Sequence, residues 1–141
     1  MKKIILIFAA VLLGAFSLSA QEKEKTAEQI KVEKELNEYI QKEVDRLEKS
    51  LDLDFHQVFY VDSILTHDFT ALQQELAGLQ SKKVSNNDLY NETQYKWQDQ
   101  MYESMRKVLN DEQWKKYLKT GAASQKKARD KAREKKKKEK K

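Results

Sequence analysis

The chain has 141 residues, a formal net charge of +5, and neither cysteine nor proline. The lack of cysteine excludes a disulfide-stabilised scaffold, and with only three glycines there is almost no helix-breaking residue. We therefore expect an all-α fold: three to four amphipathic helices in a thin antiparallel helical hairpin or bundle, followed by a basic C-terminal tail that is helical or disordered.

The first twenty residues have the pattern of a bacterial export signal. Lys2 and Lys3 precede an apolar run over residues 4–16, and small residues then lead to Ala20. The apolar run is shorter than the roughly 20 residues that span a bilayer. We therefore expect a signal peptide over residues 1–20, cleaved after Ala20, and a periplasmic mature chain.

A first helix is predicted to begin near Thr26. Thr26 and Gln29 have the spacing of a capping box, in which the side chains at N-cap and N3 each accept a hydrogen bond from the other's backbone N–H. Apolar residues then repeat every three or four positions, the spacing of one helix face. They are Leu36, Ile40, Val44, Leu47 and Leu51.

The second helix is predicted from about Asp54 to Gln80. It opens on Leu53, Asp54 and Gln57, a second capping-box pattern with a leucine before the cap. Its core stripe comprises Val58, Val61, Leu65, Phe69, Leu72, Leu76 and Leu79, with Phe55 and Phe59 on its shoulder.

Two apolar residues of this helix, Tyr60 and Ile64, fall on the other side of the stripe. Scattered apolar residues are normal on protein surfaces. The alternative is a contact surface for a second subunit or an unfolded client protein.

The third helix is predicted to follow a polar turn at residues 81–86 and to end near Leu109. Its apolar side is broad and rich in aromatic residues and methionine, which suits either a core or a surface that adapts to varied partners. If these surfaces bind a client or partner protein, the candidate contact residues are Tyr60 and Ile64 on the second helix and Tyr95, Met101, Tyr102 and Met105 on the third.

The leucine–cap–glutamine pattern occurs again 56 positions after its first copy, as Leu109, Asn110 and Gln113. A single capping box marks only the start of a helix. A second copy with the same leucine and glutamine is more specific, and it predicts a short fourth helix containing Trp114, Tyr117 and Leu118. We expect Leu53, Asp54, Gln57, Leu109, Asn110 and Gln113 to be structural.

This pair of motifs resembles the Spy/CpxP family of periplasmic proteins, whose members carry two Leu-Thr-x-x-Gln motifs at about this separation. The resemblance covers roughly residues 51–119. Asp54 and Asn110 stand where the family has threonine, and both can cap a helix. The resemblance implies a curved, thin helical cradle, a homodimer, and ATP-independent binding of unfolded envelope proteins over a domain spanning residues 21–121.

The tail, residues 122–141, is of low complexity. From Lys126 onward it carries eleven basic residues against three acidic ones, a net charge of +8. Because it has no large apolar residue, we expect no buried face and little contribution to stability. It is predicted either to solubilise the protein or to attract an anionic surface, without specific nucleic-acid recognition.

Catalytic chemistry is not predicted. There is no cysteine nucleophile and no glycine-rich phosphate loop, and acidic residues alternate with basic ones as on solvated helix faces. His56 and His67 lie about three helical turns apart, too far to share one metal ion. We expect no enzyme activity, no cofactor and no metal site.

Three functions are therefore considered. The first is an ATP-independent periplasmic chaperone or envelope-stress accessory protein for unfolded or misfolded envelope proteins. The second is an envelope adaptor without chaperone activity, which docks a specific partner or an anionic surface through the basic tail. The third is a metal-responsive sensor, for which His67 with Asp68 or Glu75 would be a poor site.

Overall fold

Side-chain caps mark the start of the first four helices. The computed structural model describes residues 26–139 and is all-α, as predicted. Helix α1 is Ala27–Leu51, α2 is Phe55–Ser81, α3 is Asn87–Val108, and the short α4 is Asp111–Tyr117. A π-helical turn, Leu118–Ala122, then leads into α5, Ala123–Glu139. The expected signal peptide and its cleavage site lie outside the described residues.

The turns between helices have clear physical causes. Helix α1 ends because Asp52 adopts a left-handed conformation (φ 54°), which aspartate tolerates better than most residues. Helix α3 ends because the backbone of Leu109 is extended (φ −86°, ψ 139°) and Asn110 caps the next helix. The short turns after α1 and α2 make α1, α2 and α3 successive antiparallel neighbours.

The main core lies between α1, α2 and the C-terminal half of α3. All five predicted stripe residues of α1 are buried there, and they meet Val61 and Leu65 of α2 and Met101 and Met105 of α3. The two motif leucines, Leu53 and Leu109, belong to the same cluster. A smaller cluster of Leu72, Leu76 and Trp97 continues the contact between α2 and α3.

The basic tail differs from the expectation. It is helical from Ala123, and Arg129 is only 5% exposed, so the prediction that this segment has no buried face is wrong. The chain changes direction at Gly121, whose φ of 107° is not helical, just before α5 begins. Helix α5 runs antiparallel to α3, since Arg129 meets Asp99 and Lys136 meets Asp88. These contacts between α5 and α3 are ion pairs, and the spacing of apolar residues in a sequence does not predict ion pairs.

Candidate functional site

The two leucine–cap–glutamine motifs form two complete capping boxes. The side chain of Asp54 accepts from the backbone N–H of Gln57 at 2.9 Å, and that of Asn110 accepts from the N–H of Gln113 at 2.9 Å. In return, the side-chain oxygens of the glutamines accept from the cap N–H groups at 3.1 and 3.0 Å. Each motif therefore begins a helix, α2 or α4.

The two glutamines also meet each other. Gln57 Nε2 donates to Gln113 Oε1 at 2.7 Å, and Gln113 Nε2 donates to Gln57 Oε1 at 2.9 Å. We call this the glutamine pair. Gln113 is 7% exposed and Gln57 is half-buried, so much of the pair is removed from water.

The second N–H of each side-chain amide donates to a backbone carbonyl just before the other motif. Gln57 Nε2 donates to the carbonyl of Val108 at 3.1 Å, next to Leu109, while Gln113 Nε2 donates to the carbonyl of Asp52 at 3.2 Å, next to Leu53. The two motifs are thus joined by equivalent hydrogen bonds in both directions. Both N–H donors of each side-chain amide are used, and each amide oxygen accepts twice. The glutamine pair therefore has no free donor or acceptor for a ligand, and its role is structural.

The six predicted contact residues do not form one surface. Met101 and Met105 are 8% and 1% exposed and belong to the main core. Ile64 is partly buried against the same core, so it does not point outward as predicted. Met101 and Met105 are therefore not surface contacts in this structure, and Ile64 presents only part of its side chain.

The other three lie in separate places. Tyr95 lies under the guanidinium of Arg133, 5.5 Å from its ring centre, and Tyr102 packs edge-on against Trp114 at 5.0 Å. Tyr60 alone is largely exposed, at 55%.

Two phenylalanines next to Tyr60 are exposed as well. Phe55 is 84% and Phe59 is 64% exposed, and the Phe59 and Tyr60 rings lie 5.8 Å apart, edge to face. Phe55 and Phe59 are four residues apart and so share a helix face. We call Phe55, Phe59 and Tyr60 the aromatic patch. It lies on the first turns of α2, next to the glutamine pair.

Sequence reasoning placed Phe55 and Phe59 beside the core stripe and so missed their exposure. The signal was present in the helix geometry. Phe59 precedes the fully buried Val61 by two positions, a rotation of roughly 200°. Exposed phenylalanines cost solubility and add no packing in the monomer, so three adjacent exposed aromatic rings indicate a contact surface.

A buried polar cluster between α2 and α3 was also missed. Asp68 is 2% exposed, and its Oδ1 lies 2.8 Å from His67 Nδ1 and accepts from Gln100 Nε2 at 2.9 Å. The other oxygen of Asp68 has no hydrogen-bond partner. No group of three histidine, cysteine or acidic side chains that could hold a metal ion occurs among residues 26–139.

Helix α5 binds α3 through a ladder of ion pairs. Arg129 Nε lies 2.9 Å from Asp99, Arg133 contacts both Asp99 and Glu92, and Lys136 reaches Asp88 at 3.0 Å. Burial alone would raise the pKa of Asp99, but hydrogen bonds from Arg133 and Arg129 outweigh it and hold that pKa below its usual value. The carboxylate therefore stays charged and keeps α5 docked.

Comparison with known proteins adds no relative. No protein-family model, no curated protein and no solved structure matches the chain. Within the part of the chain that the structure describes, no helix is long and apolar enough to cross a membrane.

Proposed function

We propose that this protein is an exported, periplasmic chaperone or envelope-stress accessory protein that holds unfolded or misfolded envelope proteins without ATP. The observation that carries this proposal is the aromatic patch. Its three rings project from a helix whose opposite face is packed into the main core. A rigid, exposed aromatic surface favours apolar segments of non-native proteins, since folded proteins seldom expose such segments.

The position of the patch supports this role. It begins at the first residue of α2, directly after the cap Asp54, where the glutamine pair joins the two repeats. The backbone beneath the rings is therefore held in place before a client arrives. Holding a binding surface rigid reduces the entropy lost on binding.

The resemblance of the paired motifs to the Spy/CpxP family supports the same function and adds the expectation of a homodimer. The patch would then lie on each subunit. Client binding requires that the rings of the patch remain exposed in the assembled protein. A dimer interface formed by the patch would instead cover them.

The test is suppression of aggregation. The processed chain, residues 21–141, is mixed without ATP with an unrelated protein diluted from denaturant, and light scattering is followed. We expect slower aggregation at substoichiometric to equimolar ratios. Replacing Phe55, Phe59 and Tyr60 together with serine should abolish most of the effect while helicity by circular dichroism is unchanged.

A matched control removes other exposed apolar side chains. Ile30 and Leu89, 55% and 43% exposed, lie at the opposite ends of α1 and α3 from the patch. Replacing both with serine should leave the suppression intact. Equal losses in the two variants, or no suppression at several-fold excess, would refute the proposal. Sedimentation of the triple-serine variant as a monomer, where the original chain is a dimer, would assign the patch to the subunit interface.

A further inference from the structure

Helix α5 has two charged faces with different surroundings. The inner face carries Arg129, Arg133 and Lys136, which are buried or half-buried and paired with acidic residues of α3. These cations are neutralised within the molecule. They are therefore not available for a partner while α5 is docked.

Five lysines of α5 are exposed. Lys137 lies to one side, and the other four form a row along the outer face, which we call the lysine stripe. They are spaced four, four and three residues apart, so they follow one side of the helix, and they are Lys127, Lys131, Lys135 and Lys138. Among the described residues, Lys135 is the only lysine of the stripe that forms an ion pair. It lies 3.8 Å from Glu139, and both side chains are mostly exposed. Glu134 lies on the same side of the helix, three residues after Lys131 and four before Lys138, and Asp130, three residues after Lys127, is paired with Lys126.

The lysines of the stripe repel one another along the helix. Like charges four residues apart repel each other and destabilise a helix by a few tenths of a kcal/mol per pair, and Lys127, Lys131 and Lys135 form two such pairs. No acidic residue of α3 reaches these lysines, because α3 lies against the inner face. An external anion would relieve the repulsion.

We propose that the lysine stripe docks the protein on an anionic phospholipid surface. The stripe is straight and about 16 Å long at 1.5 Å per residue, so it can lie flat against a plane of lipid phosphates. Because α5 has no aromatic and no large apolar residue, it cannot insert into the acyl region and binds by charge alone.

The same features disfavour nucleic acid. The stripe has no aromatic side chain on which a base could stack and no arginine or amide that could read a base edge. The proposal does not rest on client binding, since the aromatic patch and the stripe share no residue.

Flotation with vesicles tests the docking. The processed chain is mixed with phosphatidylcholine vesicles that contain either no anionic lipid or a fixed fraction of phosphatidylglycerol. We expect binding to the anionic vesicles only, and we expect it to weaken as salt shortens the screening length to about 8 Å at 0.15 M.

Charge-matched variants separate the two faces. The outer variant replaces Lys127, Lys131 and Lys138 with glutamine, and it should lose at least about tenfold in binding with no change in melting temperature. The inner variant replaces Arg133, Lys136 and Lys126 with glutamine; Lys126 is half-buried and paired with Asp130 within α5. Its net charge equals that of the outer variant, and it should keep binding within about threefold while melting earlier.

Three results would overturn the proposal: equal losses in the two variants, equal binding to neutral vesicles, or tighter binding to duplex DNA than to anionic vesicles at the same phosphate concentration. If the inner variant unfolds, the single changes Lys131→Gln and Lys136→Gln provide the same comparison, and loss of binding only in the first supports the stripe.

Discussion

Gln57 and Gln113 are 56 residues apart, yet their side-chain amides donate hydrogen bonds to each other at 2.7 and 2.9 Å. Each also caps its own helix and holds the carbonyl that precedes the other motif. The turn between α1 and α2 is therefore linked to the turn between α3 and α4. Because every donor and acceptor of the two amides is used, neither residue can be changed without leaving polar groups unpaired.

The first prediction concerns this linkage. Gln57→Ala and Gln113→Ala should each lower the free energy of unfolding by about 1–3 kcal/mol, because each leaves its partner amide unsatisfied. The double variant should lose about 0.5–3 kcal/mol less than the sum of the two. Urea denaturation of the four proteins measures this, with Gln74→Ala, at an exposed position, as the control. Strict additivity would show that the amides act independently.

The second prediction concerns the caps. Asp54→Ala and Asn110→Ala should each cost about 0.5–2 kcal/mol, because first-turn N–H groups lose their side-chain acceptor. Asp54→Thr and Asn110→Thr should be nearly neutral, since threonine can also cap a helix. Denaturation midpoints decide the matter. Threonine variants as unstable as the alanine variants would show that something other than capping selects these residues.

The third prediction concerns α5. Arg129→Ala should lower the free energy of unfolding by about 1–2 kcal/mol, because a buried cation that donates to Asp99 is lost and the carboxylate remains. Lys131→Ala, on the exposed side, should stay within about 0.5 kcal/mol. Deleting residues 124–141 should lower the melting temperature as well. An unchanged melting temperature after that deletion would mean that α5 is not docked in solution.

The fourth prediction concerns acid. The folded-state pKa of Asp99 is lowered: its hydrogen bonds from Arg133 and Arg129 overcome the effect of burial. A group with a lowered pKa stabilises the fold above its unfolded pKa, near 3.9, and this contribution disappears as the pH falls through the folded value. Asp99→Asn should flatten that part of the stability–pH curve. An unaltered curve below pH about 4 would contradict the assignment.

The fifth prediction concerns alkali. Burial, and then the charge of Glu43, raises the pKa of both Tyr39 and Tyr117 to about 12. The stabilisation from a raised pKa is complete below the unfolded value of 10.0 and is lost as the pH rises toward about 12. Tyrosinate absorbance should show a component that ionises with an apparent pKa of about 12. Tyr39→Phe and Tyr117→Phe should each reduce that component, and a titration without it would contradict this.

Much of the fold could be predicted because the information is local. A cap and its N3 partner are three residues apart, so Thr26, Asp54 and Asn110 could be recognised from neighbouring letters, and all three form capping boxes in the structure. The apolar stripe of α1 was likewise readable from its helical spacing, and all five of its residues are buried.

The candidate surfaces were harder to predict because exposure depends on which elements lie alongside. Phe55 and Phe59 have the apolar character of core residues, and they are exposed because no element within residues 26–139 packs over them. Met101 and Met105 have the adaptable character of contact residues, and only the approach of α1 and α2 buries them.

The sequence by itself determined where α1 to α4 begin, which face of α1 is apolar, and that two equivalent motifs exist. The tertiary structure alone decided that the two glutamines pair, that Asp68 is buried, and that the cations of α5 divide into a docked face and an exposed stripe. The physical reason is range: capping and periodicity act within a few residues of the chain, whereas the glutamine pair and the Arg129–Asp99 ion pair join groups 56 and 30 residues apart.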